Sequence, residues 1–202
     1  MKKTCLFALL IITSFVYYAC HKQIEEYYLT SEEKAMIPFH GNEVVHFSSQ
    51  SNEIEVLLAD DRIDEIKRYN NDHTEKNYIL VENSYINFSN EKYRLRLFMS
   101  SYPFPPTGVS FNFSFTDSKN YFGSFFKTIN QEDSTQFLDS LLVNGSWIYD
   151  VFYDTMEYFH FEPPQDTLLV FPVKSFYSRQ FGVIKIDFSD NTFWELDHIE
   201  WN

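Results

Sequence analysis

The clearest pattern along this chain is alternation. Over 109–115, Val109, Phe111, Phe113 and Phe115 fall on one side of an extended backbone, with Ser110, Asn112 and Ser114 on the other. That period of two is what a strand with one buried face requires. Over 93–99, Arg94 and Arg96 alternate with Leu95, Leu97 and Met99, so one face of an antiparallel sheet is wet. The same reading predicts strands over 44–47, 54–59, 78–88, 121–128, 137–143, 147–153, 167–173, 181–188 and 192–196, about eleven in all.

Polar turns separate them. Asn144-Gly145 is the strongest hairpin signal, because both residues tolerate positive φ. A two-residue turn there sets Leu142 opposite Trp147 and Leu138 opposite Val151; a helix over 133–142, capped by Asp133, is the competing reading. At the last hairpin, a three-residue turn with Asn191 in the left-handed region sets Ile186 against Trp194 and Ile184 against Leu196. A two-residue turn would oppose Ile186 to Glu195, and the first register buries better. Thr30 and Glu33 have capping-box spacing, which predicts about two helical turns over 31–37 before Pro38. The charged stretch 60–73, with Ile63 and Ile66 three apart, reads as a short surface helix or a loop. Pro103, Pro105 and Pro106 predict an extended loop, and Pro172 an edge strand. The expected fold is mainly β: an antiparallel, hairpin-rich sandwich or partly open barrel with one short N-terminal helix, forming a single domain over 30–202.

The first residues break this pattern. Lys2 and Lys3 precede an uncharged, mostly apolar run over 6–18, then Ala19-Cys20. The run is too short to span a membrane and reads as a removable export signal. Ending on Ala-Cys, it resembles a bacterial lipoprotein signal. That resemblance implies cleavage after residue 19, lipidation of Cys20 and anchorage in the outer membrane through a tether over 20–29. The segments Leu29-Thr-Ser-Glu-Glu-Lys-Ala-Met-Ile-Pro-Phe39, Phe181-Gly-Val-Ile-Lys-Ile-Asp-Phe-Ser-Asp190 and Trp194-Glu-Leu196 further resemble small lipoproteins of Bacteroidetes-type bacteria. That group has no known catalytic residues, so the likeness implies export and anchoring only; whether the domain faces the surface or the periplasm stays open.

Composition narrows the function classes. With 22 Phe, 14 Tyr and 3 Trp in 202 residues, the chain has apolar mass enough for one large core. The formal charge of −13 becomes about −15 once the leader lysines leave. Such a surface repels phosphate backbones, so nucleic acid is not an expected partner. Cys5 leaves with the signal and Cys20 carries the lipid, which removes disulfides, thiol catalysis and Cys-ligated zinc.

Catalytic signals are weak. His21, His40, His46, His73, His160 and His198 are scattered without ligand spacing, and each reads as structural or surface histidine. Asp60, Asp61, Asp64 and Glu65 lack the glycine hinge of a calcium loop and read as a solvated turn. There is no Gly-x-Ser-x-Gly elbow, and 5 glycines do not build a phosphate loop. The expectation is therefore a non-enzyme with no cofactor, no metal and no catalytic residue. Candidate binding aromatics are Tyr102, Phe104, Trp147, Tyr149, Tyr153, Tyr158 and Phe159, whose rings suit sugar faces or protein hot spots. Ser134, Ser140, Thr155 and Thr167 each follow Asp and precede Thr, Leu or Met, a pattern resembling the O-glycosylation sites of exported Bacteroidetes-type proteins. The function expected is a lipid-anchored envelope module that binds a glycan or a partner protein. The alternatives are a structural subunit of an envelope complex and an envelope hydrolase, which would need two converging carboxylates.

Overall fold

The computed structural model describes residues 22–70, 77–101, 108–116, 121–127, 136–159 and 170–202. In chain order its elements are β1 (Lys22–Tyr27), α1 (Ser31–Lys34), β2 (Val44–Ser49), β3 (Ile54–Ala59), β4 (Ile63–Asn70), β5 (Asn77–Ser89), β6 (Tyr93–Ser100) and β7 (Gly108–Phe115). They continue with β8 (Tyr121–Lys127), β9 (Phe137–Val143), β10 (Ser146–Thr155), β11 (Glu157–Phe159), β12 (Pro172–Ser178), β13 (Gly182–Phe188) and β14 (Phe193–Glu200). The export signal, Cys20, Tyr102, Phe104, Ser134, Thr167, the proline loop over 103–106 and the turn over 117–120 lie outside the described residues. Among the described residues no helix is long and apolar enough to cross a membrane.

All fourteen strands belong to one sheet, in the order β11-β8-β7-β6-β5-β3-β2-β14-β13-β12-β10-β9, with β1 and β4 also on β5. The long β5 takes two neighbours on each side. One edge pairs with β1 along Asn77 to Val81 and with β6 along Asn83 to Ser89. The other pairs with β4 along Tyr78 to Tyr85 and with β3 at Phe88 and Ser89. The mainly β, antiparallel expectation holds, with β1–β5 the one parallel pair among the described strands.

The sheet folds back on itself without closing. Phe126 of β8 stacks on Tyr177 of β12 at 5.0 Å, and Phe113 of β7 meets Phe188 of β13 and Trp194 of β14 at 6.0 and 5.8 Å. Ser124 and Ser175, both buried, hydrogen-bond across the same junction at 2.7 Å. An aromatic layer thus lies between two halves of one sheet, as in a sandwich. The buried Tyr177 hydroxyl donates to the Met36 carbonyl, and burial raises its ionisation above the usual tyrosine range.

Local chemistry explains several elements. Thr30 Oγ1 accepts from Glu33 N–H and Glu33 Oε2 accepts from Thr30 N–H, closing the expected capping box. The helix is one turn rather than two. Met36 and Ile37, its expected continuation, are buried in the core instead. Asn144 and Gly145 take φ of 44° and 79°, and β9 pairs with β10 with Leu142 opposite Trp147 and Leu138 opposite Val151. The hairpin reading is therefore correct, and Phe137–Val143 is strand where the competing reading had helix. Asn191 takes φ 66° and Ile186 faces Trp194, as the three-residue turn requires.

Three expectations are corrected. Within the stretch 60–73, Ile63–Asn70 is strand β4 and not a helix, and 71–73 lie outside the described residues. Part of the tether, Lys22–Tyr27, is strand β1, and Leu29 is buried. Pro172 opens β12, which lies between β10 and β13 rather than at an edge. Proline is tolerated there because a first residue can sit beyond the neighbouring ladder: β10 pairing reaches only Lys174.

Gly182 shows how tightly the core closes. Its φ is +73°, and a Cβ there would run into the Phe39 ring. Gly182→Ala is expected to lower unfolding free energy by about 2 kcal/mol, through left-handed strain plus overpacking. Urea melts of both proteins check this, and an unchanged midpoint would remove the proposed clash.

Candidate functional site

Among the described residues, an apolar void inside the sheet, lined by Phe39, Phe47, Leu57, Phe88 and Leu97, is about 10 Å³, no larger than one water, and has no polar partner to hold one. The outside of the sheet offers more.

Among the described residues the most exposed rings there lie on β10. Trp147 is 60% exposed and Tyr149 67%, and spacing of two places both on one face. Leu142, directly opposite Trp147, is 48% exposed; Ser140, opposite Tyr149, is half-buried. The other face of the hairpin is anchored, with Val143, Ile148 and Phe152 buried in the core. The hairpin tip is also fixed: Asn144 N–H donates to Glu195 Oε2 at 2.9 Å and its side-chain amide to Asp197 Oδ1. Two flat rings and a leucine are thus displayed on a clamped support, which limits the ordering cost of binding.

Of the other predicted aromatics, Tyr153 is half-buried, 6.1 Å from Phe176 and with the Lys174 ammonium 4.0 Å above its ring. It is structural packing rather than part of the exposed pair. Tyr158 and Phe159 lie in β11, opposite Phe122 and Tyr121. Ser140 sits on β9, the last strand of the sheet order, and Thr155 is exposed at the end of β10. Only these two candidate modification sites fall within the described residues.

An open cleft of about 370 Å³ runs between β8 and the end of β10, lined by Asn112, Tyr121, Phe125, Asp154, Thr155 and Glu157. Asp154 is its most engaged group. One carboxylate oxygen accepts from Phe125 N–H at 2.8 Å, and the other from the Gln136 amide at 2.6 Å and Thr155 N–H at 2.9 Å. It fastens β10 to β8 rather than offering a free acid or base.

On the opposite stretch of the sheet, β3 exposes Ile54, Val56 and Leu58 on one face. Beside them, across β2, the rings of His46 and His198 stack at 4.0 Å. The scattered chain positions of these histidines concealed their meeting, but a signal was present. Apolar residues at Trp194, Leu196 and Ile199 are spaced two and then three, the slip of phase that marks an extra residue in a strand. Asp197 hydrogen-bonds His198 Nδ1 at 2.8 Å, and that bond is the main cause holding its carboxyl below the usual range.

Compared with protein-family models, curated proteins and solved structures, the chain matches none of them.

Proposed function

We propose that this chain is an exported lipoprotein of the cell envelope, lipidated at Cys20 and anchored to the outer membrane, whose β domain is a non-catalytic binding module. The single observation that carries the binding reading is the pair Trp147 and Tyr149, both more than half exposed on one face of a clamped hairpin. Exposed rings at such spacing suit the apolar faces of a glycan, or a hot spot on a partner protein. The acidic charge of −13 argues for uncharged or cationic ligands.

Screening the purified protein against envelope glycans and envelope proteins should find a ligand whose affinity falls at least about tenfold in Trp147→Ala and in Tyr149→Ala. The fold should be unaffected, since both side chains stand outside the core. A ligand that binds both variants as it binds wild type would place the site elsewhere. Lipid labelling of wild type and Cys20→Ala, with protease shaving of cells, tests the anchor and the face on which the domain is displayed.

The stripe Ile54, Val56 and Leu58 favours a second reading, a structural subunit of an envelope complex docked through β3. That reading predicts a stable co-purifying partner lost in Val56→Glu.

A further inference from the structure

We propose that His46, His198 and Glu200 form a binding site for a zinc-like divalent transition-metal ion on the outer face of the sheet, clamping β2 to β14. The proposal is independent of the aromatic face and of the lipid anchor.

The site is created by one extra residue. Strands β2 and β14 pair antiparallel, with Leu196 opposite Phe47 and then, after a register shift at Asp197, His198 opposite His46, Ile199 opposite Val45 and Glu200 opposite Val44. On β2, Val45 and Phe47 are buried, so His46 faces outward. Without the shift, His198 would lie opposite Val45 and point into the core, as would Glu200. The bulge reverses both. It brings His198 and Glu200 onto the face that carries His46, and leaves Ile199 to point inward. Bulges that re-aim side chains in this way concentrate beside functional sites.

The donor atoms converge. His46 Nε2 is 3.0 Å and His198 Nε2 4.0 Å from the same oxygen, Glu200 Oε1, and one ligand atom from each residue lies within 4.8 Å of the others. Zinc bonds of about 2.0–2.2 Å set tetrahedral ligands about 3.3 Å apart, so these separations bracket the need. The rings lie nearly parallel, 14° apart, which sends their lone pairs side by side. Capture therefore requires one ring to turn, and His198, 53% exposed against 15% for His46, has the room.

Asp197 completes the arrangement. Its carboxylate accepts the His198 Nδ1–H at 2.8 Å, which keeps the proton on Nδ1 and leaves Nε2 free as a ligand. Metal-binding histidines are oriented by carboxylates in this manner. The other oxygen of Asp197 holds the Asn144 amide at the tip of the β9–β10 hairpin. Two imidazoles and one carboxylate suit zinc, nickel or copper and not calcium or magnesium, which take oxygen ligands. The fourth position would go to water.

Zinc chloride titrated into the purified protein by calorimetry tests this. Wild type is expected to bind one ion saturably in the micromolar range and to melt at a higher temperature with zinc present. His46→Ala and His198→Ala should each weaken binding by at least about tenfold, and Asp197→Asn by about tenfold or more, through loss of ring orientation. His40→Ala, an exposed histidine outside the cluster, should bind as wild type does. X-ray absorption of the zinc-loaded protein should find two imidazole ligands. The proposal is overturned if wild type shows no saturable zinc uptake. It is equally overturned if His46→Ala and His198→Ala bind unchanged, or if calcium competes on equal terms.

Discussion

Arg62→Ala is expected to destabilise the domain by about 3–5 kcal/mol, because one guanidinium hydrogen-bonds backbone carbonyls and a serine hydroxyl from separate segments of the chain. Arg62 lies just before β4, its side chain 11% exposed. Its nitrogens donate to Lys34 O at 2.9 Å, Ile37 O at 3.0 Å and Ser84 Oγ at 2.8 and 3.0 Å, with Asp64 Oδ1 at 3.4 Å. The Lys34 carbonyl belongs to the C-terminal end of α1, where it also accepts from Ile37 N–H, at a longer 3.3 Å. A single side chain therefore ties the end of α1 and the residues after it to β5. Truncation removes these bonds in a half-buried place, at about 1–3 kcal/mol for each acceptor left without another donor, before relaxation. Arg62→Lys should recover less than half of the loss, because one ammonium cannot span acceptors arranged around a planar fork. Urea unfolding with an unchanged m-value measures both. A loss below about 1 kcal/mol for alanine, or full rescue by lysine, would show the network to be ornamental.

Arg62 also marks where the sequence stopped being readable. Strands with one buried face were legible because burial writes a period of two into them. β6 and β7 alternate cleanly: of the residues that alternation named, Leu95, Leu97, Met99, Val109, Phe111 and Phe113 are buried and Phe115 is half-buried at the strand end. β4 has no buried face: seven of its eight residues are exposed, so no periodicity was imposed, and Ile63 and Ile66 mimicked a helix. β1 was hidden for a related reason, being short, acidic and paired parallel to a strand more than fifty residues away. Turns were readable because their chemistry is local, as positive φ at Asn144, Gly145 and Asn191 confirms. Sites built across strands were not. Trp147 and Tyr149 could be named because they are aromatic residues close to the Asn144-Gly145 turn, within one short stretch of chain. His46 and His198 meet only because β2 pairs with β14, a pairing that no local pattern specifies.

The same contrast shapes the energetics of β14. Up to Leu196 it is held by the core; beyond Asp197 Ile199 still packs inward, and the outer face carries polar contacts: His198 with Asp197, Asn144 with Asp197, and His46 with Glu200 at 3.0 Å. Exposed pairs of this kind contribute little individually. A metal ion held at that end would supply what packing does not, which is the physical reason to expect its effect as a change in stability and not in fold.

Phe113→Ala is expected to cost about 3–5 kcal/mol, since it removes the ring on which the two halves of the sheet meet. Phe113 is fully buried, and its ring centroid lies 5.7 Å from Tyr93, 5.7 Å from Phe115, 6.0 Å from Phe188 and 5.8 Å from Trp194. Those partners come from β6, β7, β13 and β14, so the cavity would open where both faces of the fold depend on it. Phe113→Leu keeps much of the volume and should cost less than half as much. Trp194, 7% exposed, reports the site directly, because Trp147 and Trp201 are at least half exposed and already emit from water. Phe113→Ala should therefore shift the blue part of the tryptophan emission to the red while the remainder stays put. A double-mutant cycle with Trp194→Ala should show non-additivity of about 1 kcal/mol, the coupling expected of rings in contact. Strict additivity, with unmoved emission, would mean that the two halves are held by the rest of the aromatic layer and that Phe113 is only one filler among many.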